Sequence, residues 1–342
     1  MKRALVIIIL GIVLFLGSSF FIKPGSIEII PPSKETSIIE EKQPIKIVLV
    51  GDIMLDRGVA YMIEREGDRD FRFPFLKVVD YLKEADIVFG NLEGVISDKG
   101  IKVGSIYSFR AKPEAIEGLS FAGFNVLSLA NNHALDYTRE ALEDCLARLS
   151  KAGIDYVGAG FTEDEAYSPF IKEVNGLTDS LPTKIAFLGY TNLGPETWPA
   201  RGKKSGIAWI SESNFETIKE DVKLAKEKAD ILIVSLHSGK EYQKTPTQFQ
   251  IEFAKMAIEA GADLIVGHHP HIIQKNEKYE NGYIFYSLGN FIFDQGFSEG
   301  TMKGQILEVL IEDKQIKEVI IKETKINNFF QPEINLWRNS NS

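Results

Sequence analysis

From residue 45 onward the chain alternates short apolar runs with longer stretches of helical periodicity. The apolar runs include IKIVLVGD (45–52), ADIVFGNLE (85–93), NVLSLANNH (125–133), ILIVSLH (231–237) and DLIVGHH (263–269). Short β-branched-rich runs of this kind, bounded by turn residues, read as parallel strands buried on both faces. IDYVGAG (154–160) and KIAFLGYT (184–191) add strands, and NGYIFYSLGNFIFD (281–294) reads as a strand-rich hairpin partner. Helical periodicity spans 59–66, 74–84, 113–122, 138–153, 213–229 and 247–262. The segment 213–229 opens on Ser213 with Glu216 three residues on, a capping-box signature. The final alternating stretch, QILEVLIEDKQIKEVIIKE (305–323), turns at Asp313–Lys314 and predicts an antiparallel hairpin. Strands alternating with helices predict an α/β fold, and the antiparallel additions predict mixed sheets, two of them stacked between helices.

The residues that end each run change the picture. The polar residues there are Asp52, then Asn91 and Glu93, then Asn131, Asn132 and His133, then His237, then His268, His269 and His271, and finally Asn290. All five histidines of the chain lie in this set and none on a helix face. Open α/β sheets keep their sites outside the carboxyl ends of the strands. Each residue alone has a plain explanation: an aspartate caps a turn, paired asparagines make loops, and a lone histidine sits hydrogen-bonded in a core. Together, imidazoles and carboxylates point to one or two divalent transition metals such as Zn, Mn or Fe, not to a calcium cage. Such a centre lowers the pKa of a bound water and holds the oxyanions of a phosphoryl or carbonyl group. A histidine outside the ligand set can protonate the leaving group. Arg57, Lys240 and Glu241 also stand near strand ends, as candidates to grip a carboxylate or phosphate of the substrate; Asn91 and Asn290 join them as substrate-binding candidates.

Composition narrows the class. The chain has 342 residues, 44% hydrophobic and 25% charged, and a net charge of −9. That is an ordinary globular composition without the basic face of a nucleic-acid binder, so no nucleic-acid partner is expected. The single cysteine, Cys145, excludes an internal disulfide and a thiolate metal site; its place in ALEDCLARL predicts a small core residue. Lys2 and Arg3 precede an uncharged apolar stretch at 4–22, long enough to span a bilayer with the basic flank inside. The expectation is an N-terminal anchor at 1–22, with a cleaved signal peptide as the alternative. A Pro-, Ser-, Lys- and Glu-rich tether comes next at 23–44, then a folded domain at 45–325 and a tail at 326–342.

The motifs GDIMLDR (51–57), GNLEGVIS (90–97), LANNHALDY (129–137), SLHSGKEY (235–242), GHHPHIIQ (267–274) and YSLGNFIFDQ (286–295) together resemble the CapA family. These are poly-γ-glutamate capsule synthesis proteins related to the calcineurin-like metallophosphoesterases. The resemblance implies a four-layer α/β/β/α sandwich over about 45–325. It implies Asp52, Asn132, His237, His269 and His271 as metal ligands and Glu93 as the bridging carboxylate. It makes His133 the catalytic acid and leaves His268 outside the ligand set. One departure stands out: the phosphoesterase pattern begins Asp-x-His, and here the third position is Met54. A thioether is a poor ligand for a hard, water-activating cation. The expected function is thus a membrane-anchored, single-pass, extracytoplasmic protein of poly-γ-glutamate synthesis, export or attachment, with an anionic polymer or phosphoester as substrate and other membrane proteins of a capsule pathway as partners. The alternatives are a non-catalytic polyanion- or partner-binding domain with a remnant metal site, and an extracellular phosphoesterase or nucleotidase.

Overall fold

The computed structural model describes residues 44–103, 106–176 and 181–334. Fourteen strands form two main sheets: β1 (Ile45–Ile53), β2 (Ile87–Leu92), β3 (Val126–Ser128), β4 (Asp155–Val157), β5 (Phe170–Val174), β6 (Thr183–Thr191), β7 (Ile231–His237), β8 (Leu264–His268), β9 (Asn276–Tyr279), β10 (Gly282–Phe285), β11 (Asn290–Ile292), β12 (Lys303–Glu312), β13 (Gln315–Ile326) and β14 (Pro332–Ile334). The first sheet runs β14-β13-β12-β1-β2-β3-β4, with β11 also paired to β1. The second runs β9-β10-β8-β7-β6-β5. In the first sheet β1 to β4 pair in parallel and β12 to β14 add antiparallel on the other side of β1; in the second β6, β7, β8 and β10 are parallel and the edge strands β5 and β9 antiparallel.

The period of two sets the layers. Ile47, Leu49, Phe89 and Val126 of the first sheet meet Phe187, Ile233 and Val266 of the second in one buried core. The rings of Phe89 and Phe187 stack with centroids 5.4 Å apart. The alternate residues Val48, Val50, Val88 and Leu127 face outward. There they pack on α1 (Arg57–Arg65), α2 (Val79–Lys83), α3 (Ala115–Ala122) and α4 (Thr138–Lys151). On the second sheet Leu188, Val234 and Ile265 pack on α6 (Phe215–Lys226) and α7 (Gln248–Glu259), and α5 (Glu163–Tyr167) precedes β5. The result is an α/β/β/α sandwich. Both faces of each central strand are covered, which is why the sequence reads as continuous apolar runs rather than alternation.

Differences from the sequence expectations have local causes. The stretch expected as one helix at 74–84 is a 3-10 turn, Phe73–Phe75 with Pro74 at its start, succeeded by the separate short α2. Strand β5 carries Lys172 and Glu173 on a half-exposed edge, so it has no apolar run to announce it. The hairpin β12–β13 turns at Asp313–Lys314, both in the left-handed region. The domain end expected at 325 falls inside β13, and β14 pairs with it (Thr324 with Ile334, Ile326 with Pro332). Cys145 is buried in the core, as expected. Among the described residues no helix is long and apolar enough to cross a membrane. The expected anchor at 1–22 and nearly all of the tether lie outside the described residues.

Candidate metal centre and its cavity

The two sheets deliver their strand ends to one place. In the first, Asp52 lies level with Asn91 across β1 and β2. In the second, His237 lies level with His268 across β7 and β8. The segment after β8 then turns sharply: His269 and His271 both have positive φ, 96° and 57°. Non-glycine residues hold such angles at a cost of about 1–3 kcal/mol, so the surroundings must enforce them. Here the His269 N–H donates to Asp52 Oδ2 (3.2 Å), and the Ser238 N–H donates to the His268 carbonyl (3.1 Å). The turn thereby swings two imidazoles back over the first sheet.

Asp52, Asn91, Glu93, His237 and His268 are almost wholly shielded from solvent, and His269 and His271 are buried. Asn91 Nδ2 donates to Asp52 Oδ1 (2.8 Å) and lies 3.1 Å from His237 Nδ1. His237 Nε2 is 2.7 Å from Asn132 Oδ1. His271 Nδ1 is 2.9 Å from Asn290 Oδ1, and its Nε2 is 3.6 Å from Glu93 Oε1. Ligand atoms of Asp52, Glu93 and His237 all lie within 4.8 Å of one another, and the same holds for Glu241, His269 and His271. Glu93 is the telling residue: it is buried, and neither carboxylate oxygen has a hydrogen-bond partner. His269 Nδ1 is likewise buried and unpartnered. Bare buried carboxylates are costly, and bound cations would supply the missing partners, one beside Glu93 and one beside His269. The donor set of imidazoles, carboxylates and an amide fits a divalent transition metal.

Burial pushes Glu93 well above the usual carboxylate range, against the pull of His271. Burial also raises Asp52, but its contacts with His268 and His271 outweigh this and hold it well below that range. Burial pushes His269 down to about 3 and His237 well below its ordinary value. In His271 burial is outweighed by Glu93 and Asp52, which raise it to about 9. Asp52, His237 and His269 are thereby held in the forms that bind metals, whereas Glu93 and His271 would each release a proton to a cation.

Next to this cluster opens a cavity of about 670 Å³ lined by Arg57, Phe109, His133, Trp198, Tyr242 and Asp294, among others. His133 stands at its wall. Its Nδ1 is 2.6 Å from Asp136 Oδ2, and that oxygen also accepts the Phe109 N–H (2.9 Å). The Phe109 ring lies on the imidazole with centroids 4.0 Å apart. This leaves His133 Nε2 directed toward Glu93, 3.7 Å away.

The structure thus gathers Asp52, Glu93, Asn132, His133, His237, His269 and His271. The substrate-binding candidates fare differently. Glu241 and Arg57 line the cavity, but Arg57 is held by both oxygens of Asp294 and lies over the Phe109 ring (4.7 Å). Lys240 is exposed and is not among the cavity-lining residues. Asn91 and Asn290 are fully buried and lie against Asp52, His237 and His271, away from the cavity lining. Sequence reading missed Asp136 and Asp294. Asp136 lies three residues after His133, a signal that was available; Asp294 meets Arg57 only through tertiary structure.

The fold is a mixed-sheet α/β/β/α sandwich with a cluster of histidines and carboxylates at its strand ends. The chain belongs to the bacterial capsule synthesis protein family PGA_cap, which matches residues 46–295. It is 36% identical over 266 residues to the capsule biosynthesis protein CapA of Bacillus anthracis, covering 75% of this chain and 62% of that protein. It is 35% identical over 252 residues to the PGA biosynthesis protein CapA of Bacillus subtilis strain 168, covering 73% and 63%. The matched region spans less than two thirds of the length of either relative. A solved structure described as a novel phosphatase from Mycoplasma pneumoniae is similar over 82% of this chain and 94% of that one, with a TM-score of 0.49 and 17% identity.

Proposed function

We propose that this protein acts in the synthesis, export or attachment of poly-γ-glutamate, held at the outer face of the membrane by residues 1–22, with one or two divalent ions at the strand-end cluster. The family and the names of the two Bacillus relatives support the pathway. The observation that carries the metal-dependent reading is Glu93, a buried carboxylate with both oxygens unpartnered among histidines. The cavity supports it independently. Its charged lining sets Asp136, Glu241 and Asp294 against Arg57 and His271, so the lining does not favour a polyanion on its own. A cation in the cluster reverses that balance.

Bound there, a divalent metal would act as a Lewis acid and lower the pKa of a coordinated water. The chain's own residues do the rest. Asp52, Glu93, Asn132, His237, His269 and His271 would hold the ions. Asp136 fixes the His133 tautomer by accepting from Nδ1, which leaves Nε2 to take a proton from the attacking water or to give one to the departing group. Phe109 and Trp198 wall the cavity with apolar surface and exclude water from the proton-transfer site. The reaction class is cleavage or transfer at a phosphoester or amide bond.

A second reading, a non-catalytic polymer-binding domain, is favoured by Met54. Its side chain is fully buried in the outer core, and its sulfur accepts the Asp56 N–H (3.1 Å), so the first motif offers no imidazole. The test is elemental analysis of the full chain purified without a histidine tag, then turnover of phosphoesters and γ-glutamyl amides. Bound metal with turnover supports the first reading. Less than one ion per chain after incubation with Mn or Zn, with no turnover, supports the second.

A further inference from the structure

The loop after β7 carries the chain from His237 to Gln243 past the His-Pro-His segment. It is stapled there at both ends. The Ser238 N–H donates to the His268 carbonyl and the Tyr242 N–H to the Pro270 carbonyl (2.9 Å). Gln274 Nε2 donates to the Gln243 carbonyl (2.7 Å). Gly239 has φ 121°, and a Cβ there would meet Gln250 Oε1 at 2.7 Å, so only glycine lets the loop lie this close. Tyr242 takes φ 63° at the far end. A loop tied down this firmly fixes the side chains it carries, and its charged residue on the cavity side is Glu241.

From these constraints we infer that Glu241 is itself a metal ligand, supplying the donor that Met54 withholds. This rests on the metal-dependent reading given above. Two observations converge. A Glu241 carboxylate oxygen and ring nitrogens of His269 and His271 lie within 4.8 Å of one another. His269 Nδ1 is buried and has no partner among the described residues. Met54 cannot take this role, since its sulfur accepts from the Asp56 amide within the outer core. An oxygen donor also suits a hard cation where a thioether does not. Glu241 therefore acts on the ion, not on the substrate as a charged grip.

The test uses the full chain, stripped with a chelator and titrated with Mn²⁺, with free Mn²⁺ read by electron paramagnetic resonance. Glu241→Gln keeps the size and removes the charge. It should lose one bound ion, or bind it at least about tenfold more weakly, the lower end of what losing even a ligand's partner costs. Glu241→Asp should fall between, and Lys240→Ala, one residue away, should bind as the parent does. The melting temperature of the stripped variants checks folding; Glu241 is exposed, so it should not drop. Parent and Glu241→Gln binding the same number of ions with equal affinity overturns the inference and leaves the metal centre standing. A parent that binds no Mn²⁺ overturns the metal centre itself, and the role of Glu241 with it.

Discussion

Gly51 offers the sharpest test of how the site is held, because it has no side chain of its own and yet stands between Asp52 and the strand that carries Asn290. Strand β11 crosses the end of β1 there, and the Asp52 N–H donates to the Gly289 carbonyl (3.1 Å). A Cβ on residue 51 would lie 2.0 Å from that carbonyl oxygen. Ordinary contact begins near 3.4 Å, so the strands must part by about 1.4 Å. The obstacle is backbone, not a flexible side chain, so no rotamer relieves it. Overpacking of this kind costs about 1–3 kcal/mol. Losing the Asp52–Gly289 bond in a buried place adds about 1–3 kcal/mol. Gly51→Ala should thus lower stability by about 2–6 kcal/mol, a large part of the roughly 5–15 kcal/mol available. The strand that moves carries Asn290, which orients His271, so metal content should fall as well. Urea denaturation monitored by circular dichroism measures the first, and elemental analysis the second. Gly296→Ala is the control: its Cβ would meet nothing within 4 Å, and it should stay within about 0.5 kcal/mol of the parent. A Gly51→Ala protein within about 1 kcal/mol of the parent and with full metal content would refute the reasoning.

Other predictions use the same logic. Asp136→Asn replaces the carboxylate facing His133 Nδ1 with an amide that can present N–H there instead, and should cut turnover by about 10²-fold or more with metal content unchanged; equal turnover would remove the dyad from the mechanism. Burial pushes the Cys145 thiol up to about 12, so thiol reagents at pH 8 should label the protein only after urea unfolding. Saturation with Mn²⁺ at a hundred times its Kd should raise stability by about 2.7 kcal/mol, reversed by a chelator; an unchanged melting curve would argue against a resident ion. The metal-free protein should have a pH optimum of stability. His269, lowered to about 3, stabilises the fold above its ordinary 6.5 and loses that contribution as pH falls from 6.5 toward 3. His271, raised to about 9, contributes fully below 6.5 and loses its part as pH rises from 6.5 to 9. A urea midpoint that climbs steadily from pH 6.5 to 9 would contradict this assignment.

Much of the site was legible because the fold puts parallel strands between two layers of cover. Each buried strand reads as an apolar run, and the polar residues just after the run must lie at the sheet's end. Asp52, Glu93, His133, His237 and the triplet His268, His269 and His271 could be found that way, while the choice among the triplet came from the family resemblance. The roles of the amides could not. Asn91 and Asn290 stand at strand ends like the ligands, but they are turned inward to hydrogen-bond Asp52, His237 and His271. Only the register of neighbouring strands decides that. Arg57 shows the same limit: its partner Asp294 is far along the chain and turns a free cation into an ion pair. The edge strand β5 escaped notice because a half-exposed strand needs no apolar run.

The order of strands in the first sheet has a consequence for how the protein is made. β1, the first strand of the domain, lies between β2 and β12, with Ile45 opposite Ile311. Until the ribosome has delivered residues 290–326, the strand bearing Asp52 has one naked edge and no β11 across its end. Contacts between such distant segments form slowly, and an open apolar edge invites pairing with other chains. A chain stalled before residue 303 would hold every histidine of the centre and still be unable to assemble it. Asp52 is translated before any other residue of the centre and gains its last neighbouring strands only when synthesis of the domain is nearly complete.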